Sequence, residues 1–311
     1  MLAEWEPQSM VQLTWPHKDT DWAPILDEIT AVYEEMAHEI RKREPLLIVD
    51  QTPHNDTWAR DHGFITVEET SFDHKSKALI LLDFCFNGWG EKFEAALDNQ
   101  INRQLYDQGL VKGLYEDHLD FVLEGGSIES DGKGTIFTTE CCLMAPHRNQ
   151  PLTKAEIEER LKEWLGAERI VWLQHGSLLG DDTDGHIDTL VRICPDDTLL
   201  YTGGDEDHPD LIKMERELQE LRTLDGKPYR LLKLPLPRPI YDDGDRLPAT
   251  YANYLVINGA VLVPTYNQPE LDAEALRIIG EAFPDREIVG IDCRAVIKQH
   301  GSLHCCTMQY Y

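Results

Sequence analysis

Basic residues are scarce in this chain: 29 Lys and Arg stand against 57 Asp and Glu over 311 residues, a formal net charge of −28. That balance argues against nucleic acid, whose phosphates demand Lys and Arg, and against an anionic membrane surface. Also missing is any apolar run near the ~18 residues needed to cross a bilayer, and any Cys-x-x-Cys pair that could begin a zinc site. No metal is expected. The N-terminal residues carry no basic-then-apolar signal and the seven cysteines are odd in number, so a reducing cytoplasm is expected. Acidic surfaces often serve solubility alone, yet they also draw in small cations. The 41% hydrophobic content suffices for a large core, in one domain or two.

What is present is a pattern that recurs about every sixty residues: a short apolar strand, a turn, a second strand, an amphipathic helix and a third strand. The fullest copy has strands at 254–257 and 261–264 about the Asn258-Gly259 turn, a helix over 271–283 and a strand at 288–291. Another runs through 126–130 and 135–138, a helix over 154–165 with Thr153 as N-cap, and 170–173. A third turns at Pro195-Asp196-Asp197 and carries a helix near 211–221. A looser copy places a helix near 92–105 and a last strand at 121–123. The first copy starts at 11–14, runs through a helix over 25–41 to 46–49, and can borrow a strand from the C-terminal residues.

Asp61, Glu124 and His186 each fall where a copy begins. Equivalent places in repeats set around an axis converge at its centre, so the spacing predicts a cyclic arrangement with one central site. Cys305, followed at once by Cys306, lies in a strand-like run, where alternation sends the two to opposite faces. A strand starting at His186 would bring Asp188 to the same face, and the acidic run 181–184 before it would favour an imidazolium that supports a thiolate. Glu124 precedes Gly125-Gly126, which permit close backbone approach, and its carboxylate could orient the histidine.

These residues, with Ala3-Glu4-Trp5-Glu6-Pro7, Asn55-Asp56-Thr57-Trp58-Ala59-Arg60-Asp61, Phe86-Asn87-Gly88-Trp89-Gly90, Gly185-His186-Ile187-Asp188 and His304-Cys305, resemble the agmatine deiminases and the bacterial (Porphyromonas-type) peptidyl-arginine deiminases. The likeness covers nearly the whole chain. It implies a five-bladed α/β propeller (pentein) of ββαβ repeats, with 1–311 as one domain. It also implies Cys305 as nucleophile, His186 as general acid and base, Asp61 and Asp188 as the carboxylates that grip a guanidinium, and Glu124 as support for the histidine. Trp58, Trp89 and Asp182 are candidates for the substrate's chain and distal ammonium. Departures stand near the site: Gln299-His300-Gly301-Ser302-Leu303 replaces the usual Gly-Gly-Gly-Asn-Ile, and only 50–54 separate the strand 46–49 from Asn55, where the family has a longer stretch.

The implied reaction takes agmatine to N-carbamoylputrescine and ammonia through a covalent thiouronium, with no metal or organic cofactor. Deimination of peptidyl arginine is the alternative. An amidinotransferase, a non-catalytic propeller used for binding and a cysteine protease rank below both. The partner expected is a small cationic guanidino compound, and self-association as a homo-oligomer is left open.

Overall fold

The computed structural model describes residues 1–70 and 77–311, and in it the recurring pattern takes the form of five three-stranded sheets. In each, a first strand pairs antiparallel with a central strand, and a helical crossover leads to a third strand parallel to the central one. The strands Ile65–Thr70, Lys77–Cys85 and Leu114–Val122 make one such sheet. Glu129–Ser130, Thr135–Thr139 and Arg169–Leu173 make the next, and Val191–Cys194, Thr198–Thr202 and Arg230–Leu234 the third. Leu255–Ile257, Ala260–Thr265 and Glu287–Asp292 follow. The remaining sheet joins the two ends of the chain: Thr307–Tyr310 pairs antiparallel with Met10–Thr14, which pairs parallel with Leu46–Val49. The strand expected from the C-terminal residues is therefore supplied. Among the described residues no sheet closes on itself, and a two-stranded hairpin, Tyr241–Asp242 with Asp245–Arg246, is the one addition.

Local sequence accounts for most boundaries. Thr153 caps the helix Lys154–Leu165 in a reciprocal capping box with Glu156, and Gly166 ends it in the left-handed region at φ 64°. Asp196 and Asp197 both adopt positive φ, 57° and 52°, the geometry of a tight two-residue hairpin. The crossover helices bury one face: Ile29, Tyr33, Met36, Ala37 and Ile40 in Leu26–Arg41, and Ala275, Ile278, Ile279 and Ala282 in Pro269–Ala282. Central strands such as Thr135–Thr139 and Thr198–Thr202 are buried throughout, because helices cover one face and the middle of the molecule covers the other.

Three expectations need correction. The helix placed near 92–105 begins only at Ile101 and runs to Asp107. Before it, Asn99 Oδ1 accepts the Phe86 N–H and Asp98 Oδ1 accepts that of Asn55, so these side chains bind neighbouring loop backbone at the helix entrance. The last strand of that copy is Leu114–Val122, longer than 121–123. Finally, neither His186 and Asp188 nor Cys305 and Cys306 stand in strands. Ile187–Thr189 is a single 3-10 turn, and the C-terminal strand begins at Thr307, two residues after the cysteine.

Candidate active site

The segments that enter each sheet, rather than the strands themselves, carry the polar residues. Asp61 lies in the helical turn Ala59–His62, Glu124 precedes the turn Gly125–Ser127, and His186 precedes Ile187–Thr189. Gly126 stands among them. A Cβ there would lie 2.6 Å from His186 Nδ1, 2.9 Å from Asp61 Oδ1 and 3.1 Å from Asp188 Oδ2, so only glycine admits this convergence. Its N–H donates to Asp61 Oδ1 at 3.0 Å, while Trp89 Nε1 donates to Asp61 Oδ2 at 3.0 Å. Trp89 reaches that position from a backbone at φ 56° between two positive-φ glycines, Gly88 and Gly90.

Cys305 Sγ lies 3.8 Å from Asp188 Oδ2 and accepts from Asn253 Nδ2 at 3.3 Å. Asn253 Oδ1 in turn accepts the backbone N–H groups of His304 and Cys305 at 2.9 and 3.4 Å, fixing the turn that carries the thiol. Cys306 faces away, its sulfur near the Ser302 carbonyl and the Tyr33 hydroxyl. The separation of the two cysteines thus holds, but a turn produces it.

Asp188, Asp61 and Glu124 differ in how they are held. Burial would raise Asp188, yet the hydrogen bond from His304 Nδ1 at 2.7 Å holds it below the usual carboxylate range. Burial pushes Asp61 up to about 6, against the pull of His186 3.8 Å away and with the push of Asp188 and Glu124. Glu124 accepts from Arg148 Nε at 2.9 Å, and Arg148 also binds Asp184 at 2.7 Å. His186 Nδ1 and Nε2, Glu124 Oε2 and Asp188 Oδ1 are buried with no hydrogen-bond partner among the described residues. Burial alone would depress His186, but Asp61, Glu124 and Asp188 raise it. The expected help from this imidazolium to a thiolate is outweighed: burial, then Asp188 and Asp61, push Cys305 well above its ordinary value. With the protein's own charges alone the sulfur is a thiol.

A narrow cavity opens beside the sulfur, lined by Cys305, Asp61, Asp56, Asp182, Trp58, Trp89, Phe93, Thr183, Gln299 and Gly301. Trp58, Trp89 and Asp182, the candidates for the substrate's chain and distal ammonium, are among these lining residues. Trp58 packs on Gly301, where a Cβ would come within 2.2 Å of the indole. Burial raises Asp182 and pushes Asp56 up to about 7. Two groups resemble metal-ligand sets, Glu124 with Cys142 and His186, and Glu4 with Glu129 and His304. In each an arginine already provides the cation, Arg148 in the first and Arg192 in the second.

Sequence reasoning missed Asn253, Asp56 and the role of His304. Asn253 stands two residues before its strand, as Cys305 does before Thr307–Tyr310, and that shared place at a strand entrance is the signal that could have found it. Asp56 sits in the quoted 55–61 motif, and only the fold aims it into the cavity.

A family model described as Porphyromonas-type peptidyl-arginine deiminase matches residues 1–310. Agmatine deiminase of Pseudomonas aeruginosa (strain LESB58) is 32% identical over 357 aligned positions, covering 99% of this chain and 94% of that protein. Those positions outnumber the 311 residues here, so the relative carries segments this chain lacks. Among solved structures, a Porphyromonas gingivalis protein provisionally named an arginine deiminase is 50% identical with a TM-score of 0.92, covering 99% of this chain and 97% of that one. A Cys-to-Ser variant of C. jejuni agmatine deiminase with substrate bound is 36% identical with a TM-score of 0.92, covering 100% and 95%.

Proposed function

The chain belongs to the Porphyromonas-type peptidyl-arginine deiminase family, and on that premise we propose that it is a cysteine-dependent agmatine deiminase, a hydrolase of guanidinium C–N bonds. One observation carries the choice of substrate. The cavity that holds Cys305 and Asp61 also presents the carboxylates of Asp56 and Asp182 among Trp58, Trp89 and Phe93. Such a lining suits a dication with an apolar middle, as in agmatine. The α-carboxylate of free arginine would meet like charge there, and a peptidyl arginine would bring no second cation.

The reaction follows from the charges. Asp61 and Asp188 take the planar guanidinium through its outward N–H donors, leaving its central carbon exposed to Cys305. A cation beside these carboxylates offsets the charge that keeps the Cys305 proton on, so binding itself favours the thiolate, whose proton is released to solvent and is regained when the product leaves. Attack forms a tetrahedral adduct, and protonated His186 gives its proton to the departing nitrogen, which leaves as ammonia. The remaining thiouronium is attacked by water while His186 takes back a proton; collapse releases the ureido product and Cys305. Asn253 stabilises the sulfur anion through its amide, and Glu124 keeps negative charge beside His186. The chemistry calls for no metal or organic cofactor.

The five sheets read best as the blades of one five-bladed α/β propeller spanning 1–311. Asp61, Glu124, His186, Asn253 and Cys305 come from the entries to five different sheets and gather in one place, which supports that reading. No helix among the described residues is long and apolar enough to cross a membrane, and all seven cysteines are free thiols, which supports a cytoplasmic setting.

Ammonia release from agmatine, free arginine and an arginyl peptide, with wild type and Cys305→Ser, tests the reaction. Agmatine is expected to be turned over fastest, with loss of at least ~1,000-fold in the variant. Retained activity in Cys305→Ser overturns the mechanism, and preference for the peptide overturns the substrate.

A further inference from the structure

Behind the cavity wall lies a second cluster of buried charge that the reaction leaves unused. Fully buried Arg192 donates from Nε to Glu129, from Nη1 to the carbonyls of Ala252, at 3.1 Å, and Tyr254, and from Nη2 to Glu4 Oε2 at 2.7 Å. Its guanidinium also stacks 4.4 Å from the centre of the Tyr254 ring. Glu4 Oε1 accepts the Val256 N–H at 2.7 Å, and Oε2 lies 2.8 Å from His304 Nε2. The other nitrogen of His304 is the one that donates to Asp188.

Two lines therefore run from Glu4 to the reacting groups. One passes through His304, whose Nε2 faces Glu4 and, at 3.1 Å, Arg192 Nη2, and whose Nδ1 faces Asp188, so that Glu4 together with Arg192 sets the ring's orientation and the nitrogen that faces Asp188. The other passes through Arg192, which clamps the carbonyls on either side of Asn253, the residue that contacts the Cys305 sulfur. Only a carboxylate serves here, because both oxygens must accept. A glutamine would turn an NH₂ toward a donor on one side or the other. We propose that Glu4 is a positioning residue for catalysis, acting on Asp188 through His304 and on Cys305 through Arg192 and Asn253. The inference rests on the proposed reaction for its activity readout, while its second readout does not.

Glu4→Gln is expected to lower kcat/KM for agmatine roughly 10- to 100-fold, with exposed Glu6→Gln as a neutral control. The second readout is alkylation of Cys305 by a cationic haloacetamidine relative to neutral iodoacetamide, which reads guanidinium-like recognition at the sulfur without turnover. That ratio is expected to fall in Glu4→Gln. His304→Asn keeps a donor for Asp188 but cannot reach Glu4, so His304→Asn with Glu4→Gln should lose less than the sum of the two single losses. If Glu4→Gln does not fold, His304→Asn alone must lower the alkylation ratio. An unchanged ratio and a kcat/KM within about twofold of wild type, even with a lower melting temperature, would overturn the inference and leave Glu4 a structural residue. A wild type that releases no ammonia from any guanidine would instead overturn the proposed reaction, and the alkylation ratio would still decide the role of Glu4.

Discussion

Two clusters of buried charge share His304 and Asp188 as their boundary, and they are balanced in opposite ways. Around Arg192, the carboxylates of Glu4 and Glu129 meet a guanidinium whose other contacts are two backbone carbonyls and His304 Nε2. Despite burial, Arg192 and His304 hold Glu4 far below the usual carboxylate range. Around the cavity, Asp56, Asp61, Asp182, Asp188 and Glu124 outnumber the cations, and burial raises three of them, Asp56, Asp61 and Asp182. Paired charge of the first kind fixes a shape. Underpaired charge of the second kind costs stability and is retained where a cation must bind.

Arg192→Met would break the comparison most severely. It strands Glu4 and Glu129 without a counter-charge and is expected to cost about 3–5 kcal/mol in urea unfolding; a loss under about 1 kcal/mol would show that the pairing matters little. In the cavity the sign reverses. Asp56→Asn removes an underpaired carboxylate while keeping an acceptor for the Thr57 N–H, so stability should hold or rise as kcat/KM for agmatine drops about tenfold, mostly through KM. Equal destabilisation by both substitutions would erase the distinction.

A pH series sharpens the same contrast. Asp56 and Asp61 titrate near 7 and 6 in the fold, above the roughly 4 of unfolded carboxylates. The stability they contribute is complete below the unfolded value and is lost as pH rises through 6 and 7. Agmatine binding needs their anions and must weaken as pH falls through that window. Melting temperature without substrate and KM should therefore both increase from about pH 8 to about pH 5.5, and a KM that stays flat would count against these carboxylates as substrate ligands. Cys306→Ala is the smallest test. Its thiol packs near Tyr33 and the Ser302 carbonyl, so a loss of about 1 kcal/mol with ammonia release nearly intact is expected. A large loss of activity would mean that the duplicate thiol shares the chemistry.

Much of the fold was legible in the amino-acid order because its signals are local. Short apolar runs between turn signals marked strands of all five sheets, 3.6-residue spacing marked the crossover helices, and Thr153 and the Asp196-Asp197 pair announced a cap and a turn. The helix near 92–105 was misjudged because Asp98 and Asn99 spend their side chains on distant loop backbone, an interaction no window of sequence contains.

The site divides in the same way. Residue type and the sixty-residue period were sufficient to single out Asp61, Glu124 and His186, since a repeat returns the same backbone position to the same place; residue type also marked Cys305 and Asp188, and the family likeness chose Cys305 over Cys306 and supplied the roles. Tertiary structure alone decided what those residues face. It brought Asn253 onto the sulfur, put His304 in hydrogen-bond reach behind Asp188, and turned Asp56 into the cavity. Those facts depend on burial and on distances between residues as far apart as Glu4 and His304, and a one-dimensional pattern does not encode which buried charge finds a partner and which is left to bind one.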